Sequence, residues 1–250
     1  MKYLSPALTA ALLAATSAAQ AAPLVDVYGG AYTWETELEG TVASGDDQLD
    51  MEEDLGFDES DQNVFYLGVE HAVPVVPNVR VRYMDLSDSA SNRLERVFIF
   101  NGQPFLVGDE VRTDFDLEFL DGTLYYSPLP LDNVLKLDLG LTVRRLDGQI
   151  QLESTTASTL ESASATFPMA HAAVRFKMPL TGLYVGAEGN AISYDGSSMS
   201  EYHLRAGWRS ELALGVEVGY SRLNVELDDV SDLDADLEIG GPYIAASLSF

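Results

Sequence analysis

Asp232, Asp234, Asp236 and Glu238 stand at every second position near the end of this 250-residue chain. Rows of carboxylate oxygens are the ligands that hard cations such as calcium and magnesium take. The run from Asp232 opens like a helix–loop–helix calcium loop and then departs from it. Leu237 holds the sixth position, where glycine makes the turn, and Tyr243 the twelfth, where glutamate closes the site. Divalent-cation binding here is therefore weak and shared between loops, and the plainer reading is a solvated acidic surface. Residues 35–61 add twelve carboxylates, and residues 226–238 hold seven in all, with no Lys or Arg in either stretch. No cofactor is expected beyond calcium or magnesium bound weakly at such loops.

Three histidines set the scope for acid–base or nucleophilic chemistry. His71 borders a short turn, whereas His171 and His203 alternate with apolar residues. No Ser-His-Asp set is recognisable, and histidines on such a face belong more often to a polar network than to a catalyst. No catalytic residue is assigned, and the chain reads as a non-enzyme.

A third group of charges is spaced for burial. Glu70, Arg80, Arg82, Lys136, Asp138, Arg144, Arg175, Lys177, Glu188, Arg205 and Glu217 each alternate with apolar neighbours. In "VLKLDLGLTVRR", Leu135, Leu137, Leu139, Leu141 and Val143 share one parity, and Lys136, Asp138 and Arg144 the other. Alternate residues of a strand face opposite sides, so one face is aliphatic and the other charged or small. Ten strands read this way, with Asp121 read as breaking the apolar parity of its strand. Glycines Gly68, Gly140, Gly186, Gly207, Gly215 and Gly219 lie with the charges, as small residues do inside a narrow barrel.

Connectors alternate in length. Residues 72–78, 128–133, 179–182 and 210–211 are short, whereas 35–61, 87–112, 146–164 and 227–236 are long; only Asp195-Gly196 breaks the rule. Short turns at one end and long loops at the other mark a transmembrane β-barrel of the antiparallel up-and-down kind. Asn101-Gly102, between "RVFIF" and "QPFLV", marks a hairpin standing above the membrane. A soluble sandwich would bury the apolar face instead and leave the interleaved glycines without a purpose.

Met1-Lys2, an apolar stretch and Ala19-Gln20-Ala21 read as a secretory signal over residues 1–21, leaving 22–250 as the barrel domain. The chain has no cysteine, hence neither disulfides nor an acyl-lipoprotein anchor. Its formal charge of −26 disfavours nucleic acid.

The terminal "GPYIAASLSF" resembles the signal read by the barrel assembly machinery of Gram-negative bacteria, with Ile244, Ala246, Leu248 and Phe250 as matching residues. The chain also resembles a functionally uncharacterised family of Gram-negative outer-membrane barrels with paired glycines. The stretches carrying this are "VYGGAYTW", "FYLGVEHAVPVVPNVRVRY", "LPLTGLYVGAEGNAISYDG" and "LDDVSDLDAD". The resemblance implies outer-membrane lipids and lipopolysaccharide as surroundings, and assembly through Phe250.

Ten strands enclose little more than their own side chains. The inward charges should then form an ion-paired plug, each of Arg80, Arg82, Lys136, Arg175 and Lys177 meeting a carboxylate. The leading function is structural or surface interaction by a monomer. A narrow gated path for small or apolar solutes comes second, and an outer-leaflet lipid-modifying enzyme or protease third.

Overall fold

The computed structural model describes residues 25–44, 47–73, 75–129, 134–210, 213–230 and 233–250. The signal assigned to residues 1–21 lies outside them, as does Asp232. All regular structure among the described residues is β. The strands are β1 (Val25–Ser44), β2 (Gln48–Asp50), β3 (Ser60–His71), β4 (Asn78–Arg93), β5 (Phe98–Phe100), β6 (Gln103–Phe105) and β7 (Glu110–Tyr126), followed by β8 (Leu135–Glu153), β9 (Ser158–Lys177), β10 (Leu183–Tyr194), β11 (Ser197–Arg209), β12 (Leu214–Val230) and β13 (Leu233–Ser249).

Ten of them, all but β2, β5 and β6, pair antiparallel with their neighbours around a ring that β13 closes on β1. Val27 and Phe250 exchange backbone hydrogen bonds of 3.0 and 2.8 Å at the foot of that seam. A closed ring leaves no unpaired edge in the hydrocarbon, which is what a membrane demands of a sheet.

The turns at the Val25 end are short, as read from the sequence. The other end differs from expectation, because most of the stretches assigned to long loops are strand. β8 runs on to Glu153 and β9 starts at Ser158, so the loop placed at 146–164 shrinks to a tight turn. The reason is an exchange of faces. On β8 the outward row is Leu139, Leu141 and Val143 and then Arg145, Asp147 and Gln149, while the inward row changes from Lys136, Thr142 and Arg144 to Ile150 and Leu152. Alternation continues, but its chemistry reverses where the strand leaves the lipid. The same exchange falls between Tyr83 and Asp85 on β4 and between Leu120 and Glu118 on β7, residues that are direct partners in the ladder.

Above this level the barrel is filled like a soluble protein. Trp34, Leu49, Met51, Phe98, Phe100, Phe105, Phe119 and Leu152 are fully buried in one apolar core. The β5–β6 hairpin turns at Asn101-Gly102, both at positive φ (47° and 69°), as the sequence predicted. It closes the core together with residues 51–59, and Arg96 fastens the two by bonding the Asp54 carboxylate at 2.6 Å.

Candidate functional site

The membrane-level lumen is the candidate site, built in tiers from the inward residues of the strands. The deepest tier is one charged cluster. Arg82 on β4, Asp121 on β7 and Arg144 on β8 are direct cross-strand partners. Arg82 bonds Asp121 at 2.7 Å and Glu201 at 2.5 Å; Arg144 bonds them at 2.8 and 2.6 Å. Arg144 has no exposed surface. Its guanidinium lies 4.9 Å from the centre of the Phe119 ring, so it also floors the apolar core. His203 Nε2 sits 2.7 Å from Arg82 and 3.0 Å from Glu201, and His171 Nδ1 lies 2.9 Å from Asn190 Oδ1. Both histidines are buried in this network.

Asp121 does not break the parity of β7. It lies on the inward row with Phe119, Thr123 and Tyr125, and the sequence misleads because the upper part of that row is apolar. Asp121 and Glu201 supply the carboxylates of the cluster, and both were missed. The signal was available in the register, which places Asp121 between two arginines.

In the next tier, Glu188 accepts from Arg80 and from Arg205, while Glu70 accepts from Lys136. Asp138 lies 3.8 Å from Lys136 and accepts from Ser127. The expectation that every base meets a carboxylate fails for Arg175 and Lys177, which have none within 4.0 Å among the described residues. Arg175 instead rests 5.4 Å from the centre of the Tyr184 ring. Lys177, part-exposed at the lumen mouth, can be solvated by water, so its pairing is not enforced, whereas Arg175 Nε is buried without a hydrogen-bond partner among the described residues.

Tyrosines fill the rest. Tyr28 faces Gly68 across the ladder, Tyr66 faces Gly30, Tyr125 faces Gly140, Tyr184 faces Gly207 and Tyr243 faces Gly219. A Cβ at Gly68, Gly207 or Gly219 would overlap the ring of its partner, so the glycines are slots for those rings. Tyr184 and Tyr243 each donate 2.8 Å bonds to Glu217. A cavity of about 90 Å³ remains below the Arg82 cluster, reaching to Asp26 and Arg209 and large enough for a few waters.

The acidic residues of β13 lie elsewhere. The β12–β13 register is unbroken through Gly240 and Gly241, so no bulge flips the phase there. Asp234, Asp236 and Glu238 therefore point outward, and Glu238 pairs with Arg222 at 2.8 Å. Among the described residues no three His, Cys, Asp or Glu side chains converge on a metal position.

Charge fills the inside of the lower barrel, whereas Leu67, Leu141, Val218 and Ile244 are each more than half exposed on its outer wall. Water does not support that arrangement around a whole ring, and hydrocarbon does. The chain is a transmembrane β-barrel.

No protein-family model matches it, and no curated protein matches it. Among solved structures it is similar to the translocator domain of the autotransporter NalP from Neisseria meningitidis, at 12% identity and a TM-score of 0.45, covering 98% of this chain and 96% of that one. It is also similar to Ail, the attachment invasion locus protein of Yersinia pestis, solved with the heparin analogue sucrose octasulfate (12%, 0.38; 91% and 99%). A FadL homologue of Pseudomonas aeruginosa gives 10% and 0.38, with 91% and 90% covered. The assignment rests on the closed ladder and its exchanged faces.

Proposed function

We propose that this barrel resides in the outer membrane of a Gram-negative bacterium as a closed, monomeric surface-interaction protein, exported by a signal cleaved after residue 21. The observation that carries this reading is the double seal. The Arg82–Asp121–Arg144–Glu201 cluster blocks the lumen at mid-height, and the apolar core fills the bore above it. Opening a path means parting ion pairs in low dielectric and breaching a packed core, and each costs several kcal/mol.

Lipopolysaccharide surrounds the outer wall, and assembly proceeds through the seam strand ending at Phe250. Any calcium or magnesium on the outer wall bridges carboxylates such as Asp236 to headgroup phosphates. Catalysis is not part of this reading, since His171 and His203 are committed to buried partners. A narrow gated route for small solutes is the second reading, favoured by the cavity below the cluster. Swelling of proteoliposomes in arabinose separates the two. The closed barrel swells no faster than empty vesicles, and rapid swelling refutes it.

A further inference from the structure

Above residue 169 the barrel wall is incomplete. β9 pairs with β8 along its whole length, up to Ser158↔Glu153. With β10 it pairs only between Lys177↔Tyr184 and Ala170↔Ala191, because β10 and β11 turn back at Asp195 and Gly196. Residues 158–169 are thus the free edge of a wall made of β4, β7, β8 and β9.

The direction of the free groups follows from one bond. Lys177 donates its N–H to Val134 O, on the β8 side, and the β8–β9 register is unbroken from there to Ser158. Odd-numbered residues of β9 therefore bond β8, and even-numbered residues point away from it. Leu160, Ser162, Ser164 and Thr166 direct N–H and C=O into the gap, exposed and with no ladder partner among the described residues. Pro168 shares their parity, so its missing N–H costs the β8 ladder nothing.

The opposite edge of the same wall is covered. β4 parts from β3 above Asn63↔Asp85, but Gln62 donates to Ser87 O and Asn92 donates to Glu53 O and Asp54 O. Among the described residues the β9 edge has no such cover. It also lacks the usual guards against strand addition, since Glu161 is its one charge and Pro168 stands only at its foot. On its inner side the small Ala163 and Ala165 are not buried, and Phe167 and Ile192 rest against the core.

A second copy does not fit this edge. Two barrels in one membrane share their up–down direction, and strands tilted by about 40° would meet at about 80°, too steep for a ladder. Val25, where the described residues begin, lies at the short-turn end, across the membrane from this edge. The occupant therefore belongs to another protein, and its charge can be inferred. Glu161, Glu226 and Asp228 border the gap, and Asp195 marks its floor. No Lys or Arg occurs in β10 or in β9 above Arg175.

We propose that this edge accepts an added strand, an extended cationic segment of an external protein with apolar residues at alternate positions. Backbone pairing supplies the register, and the small inner-face residues leave room for its side chains. The proposal gives the surface-interaction reading its partner and rests on it. A barrel that conducted ions would defeat that reading and leave the edge test untouched.

The test uses the full-length mature barrel in nanodiscs and a labelled eleven-residue peptide alternating valine with lysine and threonine. Three comparisons accompany it: the peptide N-methylated at alternate amides, the peptide with glutamate for lysine, and the variants Ser162→Pro and Ser164→Pro. Those substitutions remove N–H groups that face the gap and spare the β8 ladder; heat-modifiable mobility checks folding. The expected result is saturable binding, weakened at least tenfold by N-methylation, by either proline and by the glutamate exchange. Hydrogen exchange should slow at Leu160, Ser162, Ser164 and Thr166. Absence of binding at millimolar peptide overturns the proposal, as does equal binding of the N-methylated peptide, which is charge adsorption. A wild-type dimer that Ser164→Pro dissociates would make a second copy the occupant and also overturn it. Should the proline variants fail to fold, the N-methylated peptide against the wild-type barrel decides.

Discussion

Arg144 has no contact with water, and its charge is held by Asp121 and Glu201. Removing one partner of a buried ion pair leaves a charge that cannot be solvated, at a cost of about 3–5 kcal/mol. Asp121→Ala should lower the stability of the refolded barrel by that amount in urea titrations. Arg145→Ala, which breaks only an exposed pair with Asp147, should leave the midpoint unchanged. Asp54 governs the cap. Partial burial alone would raise its carboxyl, but Arg96 and the Asp50 N–H hold it below its usual 3.8. A depressed carboxylate stabilises the folded form above its unfolded pKa, and that contribution fades as pH falls through the folded value. Protease resistance of the β5–β6 hairpin should therefore be full above pH 3.8 and fade only as pH falls below that value, through the lowered pKa of folded Asp54. In Arg96→Ala it should be low throughout, while the barrel remains heat-modifiable.

At the scale of elements, the tyrosine–glycine pairs join neighbouring strands. Gly219→Val would drive a side chain into the Tyr243 ring and the Leu204 carbonyl. Overpacking of this kind costs about 1–3 kcal/mol, and the urea midpoint should fall accordingly. At the seam, Phe250→Asp should reduce heat-modifiable barrel in membrane fractions, because the substitution keeps the backbone bonds to Val27 but removes the aromatic side chain proposed to be read at assembly. The strands of the lipid-facing half were legible in the sequence, since Leu135 to Val143 keep one aliphatic parity. Their upper halves were not. From Arg145 onward the same parity turns polar and Ile150 and Leu152 are the buried residues, so a search for one apolar face ends at Val143. The charged cluster was half legible. Arg82 and Arg144 stood out against aliphatic neighbours, whereas Asp121 and Glu201 needed the cross-strand register to be seen. The free β9 edge was hidden for a related reason, because strand ends are set by partners far away in sequence.

The molecule as a whole is two barrels in one wall. The lower is apolar outside and ionic within; the upper is polar outside and apolar within, so the bore meets a charged cluster and then a packed core. An ion crossing it would exchange water first for committed guanidinium and carboxylate groups and then for hydrocarbon. On the proposed closed reading, each exchange is prohibitive. Conductance across a planar bilayer in 1 M potassium chloride tests this most directly. If the proposed closure holds, there are no current steps between −100 and +100 mV after verified insertion of heat-modifiable protein; stable, ohmic steps that scale with salt would contradict it.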